Sequence, residues 1–120
     1  MKTFQKEHQI ICRLEVGDEI LTELKYLAAT FPNQLGTITG IGACDEVTVS
    51  VYSPETDQYI ATSSQEQVEL LALSGNVENA NGTIDVHLHA SFASLDTRVF
   101  GGHLERAALS RTGQLIVCLI

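Results

Sequence analysis

The sequence predicts one α+β domain, in which a single main helix accompanies a β-sheet. Three observations support this prediction. An apolar stripe with helical spacing covers residues 19–31, alternating apolar and polar residues dominate the chain after residue 35, and an Asn-Gly pair at 81–82 joins two of the alternating runs. With 120 residues, 44% of them apolar and 18% charged, the chain is long enough for one ordinary domain with its own core.

The first predicted elements are a strand and the main helix. Residues 3–15 are expected to form one strand, which Gly17 interrupts. Asp18 is the expected N-cap of a helix over residues 19–31, and Pro32 follows the end of that helix. The apolar residues of the helix recur at intervals of three and four and are Ile20, Leu21, Leu24, Leu27, Ala28 and Phe31.

Strands follow the helix. The segments 35–43, 46–52 and 58–62 are rich in β-branched and alternating residues, with a turn at 53–57. The glycines of the first segment do not indicate a phosphate-binding loop, because such a loop leads into a helix and a strand follows here. We interpret them as bends or close backbone contacts. They are Gly36, Gly40 and Gly42.

The Asn-Gly pair predicts a β-hairpin between residues 66–79 and 83–93. A two-residue turn sorts the hairpin into an apolar face and a polar face, which a slip of one residue would mix. The expected apolar pairs are Val77 with Val86, Gly75 with Leu88, Leu73 with Ala90, and Leu71 with Phe92. The expected polar pairs are Glu78 with Asp85, Asn76 with His87, and Ser74 with His89.

Three of the four histidines predict a metal site. His87 and His89 are two residues apart, which on a strand places both on one face, about 6–7 Å apart along the strand. If residues 99–104 return beside that strand, His103 joins them. Three imidazoles with an open fourth position suit Zn²⁺, and less selectively Ni²⁺, Co²⁺ or Fe²⁺. The alternative is that these histidines only form hydrogen bonds at a surface or an interface, as we expect for the exposed His8.

Polar neighbours and cysteines complete the candidate site. Ser74, Asn76 and Asp85 share the histidine face and could accept the second N–H of a metal-bound imidazole. The three cysteines are far apart and form no C-x-x-C pair, so we expect reduced, buried thiols. A cysteine ligand to the same metal is an alternative that no spacing supports. The cysteines are Cys12, Cys44 and Cys118.

The charge of the chain disfavours nucleic-acid binding. The net charge is −8, with seven lysines and arginines and no basic cluster, whereas a phosphate-binding groove needs many basic side chains. The N-terminal residues 1–7 lack the apolar core of a signal peptide, and no apolar run is long enough to span a bilayer. We therefore expect a cytoplasmic protein without a membrane partner.

Several motifs, which together span nearly the whole chain, resemble the PPC (plant and prokaryote conserved) domain family. The last two motifs together are specific for its stand-alone prokaryotic branch. The motifs are Arg13-x-x-x-Gly17-Asp18-Glu19-Ile20, Gly40-Ile41-Gly42-Ala43, the segment Glu69–Val77, His87-Leu88-His89 and Gly101-Gly102-His103-Leu104.

The resemblance implies an antiparallel-rich mixed sheet with one main helix, a homotrimer, and a zinc site at His87, His89 and His103. Plant members of the family replace these histidines, so the metal does not hold the fold together across the family. In plants the DNA contact is made by AT-hooks, Arg-Gly-Arg-Pro stretches that this chain lacks. The family's DNA-binding label therefore has no physical basis in this domain itself.

Two details depart from the family pattern. We expect a single PPC-like domain over residues 1–120, but its turn is Asp96-Thr97 where the family resemblance favours a glycine. The chain ends on the apolar run Leu119-Ile120, past which family members usually continue. Either this is a short variant or a C-terminal strand is missing, and a sheet edge is then exposed or covered by a neighbouring subunit.

The function expected first is a trimeric, metal-binding assembly or interaction module. The alternative is a metal-dependent enzyme in which zinc activates a water molecule against a small substrate, with Asp85 or Glu69 as base. Asp85 shares the histidine face. Glu69, at an odd position, is expected on the core side, paired with Arg13 or Arg98 or facing a subunit interface or pocket. A nucleic-acid-associated regulator ranks last because of the charge.

Overall fold

The computed structural model describes all 120 residues and contains one short helix and seven strands. All seven ladders between strands are antiparallel, so the expected parallel contribution to a mixed sheet is wrong. The predicted combination of one helix with a sheet is confirmed. The elements are β1 (Lys2–Lys6), β2 (Gln9–Leu14), α1 (Ile20–Ala28), β3 (Gln34–Ser53), β4 (Gln58–Ser64), β5 (Val68–Ala80), β6 (Thr83–Ala93) and β7 (Val99–Leu119).

The sheet closes on itself. Its strand order is β1-β2-β7-β6-β5-β3-β4, with a further pairing between β7 and β3. Because β3 pairs with both β5 and β7, the ladders run from β3 through β5, β6 and β7 and back to β3. Two long strands, of 20 residues in β3 and 21 in β7, make this closure possible. The edges are β1 and β4, so the apolar C-terminal end of β7 lies inside the sheet.

Two strand predictions are corrected. The segments 35–43 and 46–52 form one continuous strand, β3, whose register shifts at bulges. Its glycines are close contacts as predicted, since a Cβ added to Gly40 would lie 2.3 Å from Leu115 Cδ2. The expected first strand is instead the hairpin β1–β2. Glu7 takes φ 57° at its turn, although neither Glu7 nor His8 is a typical turn residue.

The structure differs from the sequence prediction at the cap of α1 and at the turn before β7. Glu19, not Asp18, caps α1, because its longer carboxylate accepts hydrogen bonds from the backbone N–H of Leu21 (3.1 Å) and Thr22 (2.9 Å). Asp18 instead pairs with the N-terminal amino group, 3.1 Å away. Thr97 takes φ 65°, the conformation for which a glycine was expected.

The helix packs its apolar stripe on the sheet. Of the predicted stripe, Ile20, Leu24 and Ala28 are fully buried. The helix ends at Ala28, three residues before the predicted boundary, but Phe31 is buried as well. Having nine residues, α1 is too short to cross a bilayer, and the structure has no other helix.

Leu24 provides a test of this packing. Its side chain is 0% exposed in the core, so Leu24→Ala is expected to lower the free energy of unfolding by about 2–5 kcal/mol. Denaturant titration followed by circular dichroism measures the change. Tyr26→Ala, on the same helix but 70% exposed, is the matched control and is expected to change stability by about 0.5 kcal/mol at most. Equal losses in the two variants would contradict this packing.

Candidate metal centre

The predicted hairpin brings the histidines to the expected places. Asn81 and Gly82 have φ of 54° and 89°, the left-handed conformations of a two-residue hairpin turn. In the resulting register Asn76 faces His87 and Ser74 faces His89. The strand β7 returns beside β6, and His89 faces His103 there. The predicted return of residues 99–104 is therefore confirmed.

The three imidazoles converge. One nitrogen of each lies within 4.8 Å of a nitrogen of the others. The ring centroids are 5.1 Å apart for His87 and His103, 5.5 Å for His87 and His89, and 5.9 Å for His89 and His103. Tetrahedral zinc places its ligand nitrogens about 3.3 Å apart, so small side-chain rotations would bring these nitrogens into range.

The hydrogen-bonding state of His103 fits a metal. Its Nδ1 atom is buried without a hydrogen-bond partner, although nearly all buried polar atoms in proteins have one. The His103 side chain is 26% exposed, whereas His87 and His89 lie open to solvent. A cation at the cluster would contact the partly buried His103 on its protein side and the exposed His87 and His89 at its flanks. Its remaining position would be open to solvent.

A polar group that the sequence did not single out contacts His103. The Glu105 carboxylate lies 3.8 Å from His103 Nε2 and is the one carboxylate within 4.0 Å of an imidazole nitrogen. The buried Ser50 hydroxyl donates a 2.7 Å hydrogen bond to the same carboxylate oxygen and so fixes it. The alternation in His103-Leu104-Glu105 places both side chains on one face, a pattern that could have identified Glu105. Ser50 is 55 residues away and carries no local indication.

A sequence model described as "Plants and Prokaryotes Conserved (PCC) domain" matches residues 1–120. The chain belongs to this family. The PPC resemblance, which names the same plant and prokaryote conserved domain, is thereby confirmed. The match spans the chain, including both histidine motifs.

Two solved structures are similar to this PCC domain. A protein from Bacteroides thetaiotaomicron, named as a candidate DNA-binding protein, is 27% identical with a TM-score of 0.91, covering 98% of this chain and 82% of that one. A protein from Archaeoglobus fulgidus, described as metal-containing, is 26% identical with a TM-score of 0.81, covering 99% of this chain and 86% of that one.

A curated relative is much longer than this chain. The bifunctional protein GlmU of a Synechococcus strain is 33% identical over 106 residues. Those residues make up 88% of the PCC domain but 16% of GlmU. The chain thus spans about a sixth of that relative, and the activities of GlmU are not carried over to it.

The predicted outer partners are present, but they do not hold the histidines. Ser74, Asn76 and Asp85 are exposed on the histidine face, as the register predicts. Asp85 forms no ion pair with an imidazole. Glu105 takes the position that was expected for one of these three side chains.

The expected core-side position of Glu69 is wrong, whereas the alternative that it faces a pocket agrees with the structure. In the PCC domain Leu70, not Leu71, faces Phe92, because Leu71 is an extra residue in a β-bulge. The extra residue reverses the alternation of buried and exposed side chains in the residues that precede it, so Glu69 is exposed instead of facing the core. It forms no ion pair with Arg13 or Arg98; Arg98 pairs with Asp96. Glu69 lines a groove that contains no histidine, which argues against it as a base for the histidine site.

The cysteines and the remaining histidine lie outside the metal centre. Cys12 and Cys44 are buried and Cys118 is partly buried, and all three are free thiols. Burial raises the pKa of the Cys12 thiol to about 11 and that of Cys44 to about 12, and no cysteine belongs to the histidine cluster. His8 is exposed at the first hairpin turn, as predicted.

The contact of Glu105 yields a prediction. A carboxylate beside a ligating histidine orients the ring and raises its affinity for metal, so Glu105→Gln is expected to weaken zinc binding about 10- to 100-fold. Competition with a chromogenic chelator measures the affinity. Glu78→Gln, an exposed acidic residue elsewhere on the hairpin, gives the same charge change and is expected to bind zinc as the parent does. An unchanged affinity in Glu105→Gln would show that the contact does not act on the metal.

Proposed function

We propose that this PCC domain binds one divalent transition metal, zinc in the first place, through His87, His89 and His103. The observation that carries the proposal is the convergence of three imidazole nitrogens within 4.8 Å from two neighbouring strands. Imidazole is a ligand that zinc, nickel, cobalt and iron share, and no thiolate or carboxylate replaces it here. The metal-containing protein of Archaeoglobus fulgidus supports the same assignment.

Some residues of the centre would bind the metal and others would orient a ligand. His87 and His89 would bind from β6 and His103 from β7, while Ser50 and Glu105 would hold the orientation of His103. When bound in a site with an open position, zinc supplies a Lewis acid and a water molecule of lowered pKa. Stoichiometry tests the assignment: dialysis against zinc should load about one metal ion per chain. A content near zero would refute it.

We further propose that the domain acts as an assembly module in the form of a homotrimer. A row of apolar side chains crosses the outer sheet face, where Phe4 faces Ile11 and Ile11 faces Ile116. Phe4 is 60% exposed and Ile116 is 37% exposed, as expected for a surface that a second copy covers. Three free thiols suit the reducing cytoplasm in which we place the protein.

The trimer has a direct test. Light scattering after size exclusion should give three times the mass of one chain, and Phe4→Glu should shift the protein towards the monomer. Leu95→Glu, at an 87% exposed position in a loop, is the control and should leave the mass unchanged. A monomeric parent protein would refute the trimer without affecting the metal assignment.

A zinc-dependent enzyme acting on a small substrate is the second candidate function. The open side of the histidine cluster and the carboxylate of Glu105 beside it favour this candidate. A screen of ester, phosphate and amide substrates with and without chelator tests it, and activity that survives chelation would exclude this mechanism. Direct DNA binding is not proposed: the charge of −8 opposes it, although the Bacteroides relative carries a DNA-binding name.

A further inference from the structure

The groove that Glu69 lines has a volume of about 1170 Å³ and lies away from the histidines. Irregularities in two strands form it. On β5 the extra residue Leu71 bulges opposite Ile41, and on β7 residues 110–112 lie where β3 has Ala43 alone. Bulges of this kind re-aim side chains and are common beside binding sites. The volume is ample for a small ligand.

Two arginines without an acidic partner line this groove. Arg98 and Arg106 form ion pairs with Asp96 and Glu46. Arg13 and Arg111 have no carboxylate within 4.0 Å, although the chain has 15 acidic residues, and both border the same groove. An acidic protein that leaves two guanidinium groups free in one groove offers a site for an anion.

Arg13 is held in place without losing its hydrogen bonds. Its guanidinium carbon lies 5.7 Å from the centre of the Phe4 ring. A guanidinium stacked on an aromatic face keeps its N–H groups free at the edge, where they match the two oxygens of a carboxylate. Phe4 therefore restricts Arg13 in a way that favours binding. Because Phe4 also belongs to the apolar row that we propose a second copy covers, the groove would open at the margin of that contact.

The rest of the lining indicates what kind of anion fits. Ile41 and Leu71 expose 62% and 45% of their surface in the groove, which suits an apolar body. The single carboxylate in the lining is Glu69, so two arginines and one glutamate leave one positive charge. One positive charge beside an apolar surface matches an amphiphilic monoanion better than a polyanion such as a nucleic acid.

We propose that this groove binds a small organic monocarboxylate, with its oxygens on Arg13 and Arg111 and its apolar chain over Ile41 and Leu71. This site is separate from the histidine cluster and does not require the metal. Glutamine at either arginine would remove a charged hydrogen-bond donor group while keeping a polar side chain.

Calorimetric titration with hexanoate tests the proposal, in zinc-free and zinc-loaded protein alike. We expect saturable binding of about one hexanoate per chain, weakened about tenfold or more in Arg13→Gln and in Arg111→Gln. Arg98→Gln makes the same charge change outside the groove and should bind as the parent does. Hexanamide, which lacks the charge, and acetate, which lacks the chain, should both bind about tenfold more weakly or worse.

Three outcomes would overturn the proposal. They are the absence of saturable hexanoate binding, an equal effect of Arg98→Gln, and equal affinities for hexanoate and hexanamide. If hexanoate does not bind and the groove variants dissociate an oligomer, the groove is a contact between copies of this chain. Arg13→Lys covers the case in which Arg13→Gln does not fold, since lysine keeps the charge but loses the two-pronged contact and should still weaken hexanoate binding.

Discussion

The double variant His87→Ala/His89→Ala is expected to lose zinc affinity by more than about 100-fold. Removal of an outer partner alone costs a histidine site about 10- to 100-fold, and this variant removes two of three direct ligands. His103 alone cannot hold the ion against water. Both replaced side chains are exposed, so the metal-free variant should unfold at the same denaturant concentration as the metal-free parent protein.

The control for this variant lies in the same chain. His8 is also exposed but stands in the first hairpin turn, outside the cluster. His8→Ala should therefore bind zinc as tightly as the parent protein. Calorimetry with zinc, or the visible spectrum of bound Co²⁺, measures all three proteins. Similar affinities in all three would refute the three-histidine centre.

Gly75→Ala is expected to cause a large loss of stability at the hairpin, although it adds only one methyl group. A Cβ at Gly75 would lie 2.0 Å from the backbone oxygen of His87, which no side-chain rotation relieves. The residue also has φ +154°, a conformation that residues with side chains rarely adopt. Separation of β5 from β6 at this point should cost about 3 kcal/mol or more in the free energy of unfolding. Because His87 moves with its backbone, zinc affinity should fall as well.

Gly82→Ala separates the effect of the steric clash from the effect of the positive φ. Gly82 also has positive φ, +89°, but no atom lies within 4 Å of the position that a Cβ would take, so alanine there meets strain without a clash. A cost of about 1 kcal/mol and an unchanged zinc affinity are expected. Thermal and denaturant unfolding give the stabilities. Equal losses at Gly75 and Gly82 would show that the contact with His87 is not the cause.

The part of the site that the sequence predicts depends on local rules. Asn81 and Gly82 set the turn, the period of two sets the faces, and together they place His87 and His89 with Ser74 and Asn76 opposite. The same rules fail for the residues that precede Leu73 in β5. Leu71 is an extra residue in the ladders that β5 forms with both β3 and β6. The register at this point therefore depends on β3, about thirty residues away, which no local pattern contains.

The remaining features are set by contacts distant in sequence. The Ser50–Glu105 hydrogen bond joins residues 55 positions apart and exists because β3 and β7 pair. The alternation of residues 46–52 predicts a strand but cannot tell that its partners include β4 on one side and β7 on the other. The turn at Glu7 escapes prediction because the polar run at residues 5–9 contains no glycine, proline or asparagine to mark it.

The closed circuit of β3, β5, β6 and β7 has a consequence for folding kinetics. The ladder of β3 with β7 closes the circuit, and its terminal pair is Gly36 with Leu119. The circuit therefore cannot be completed until Leu119 has emerged from the ribosome. Two of its four ladders, β3 with β5 and β3 with β7, join segments that are distant in the sequence, which predicts slow folding compared with a helical protein of this length. Once closed, the four strands have no free edge within the circuit from which to fray, and their amide hydrogens should exchange together through global unfolding.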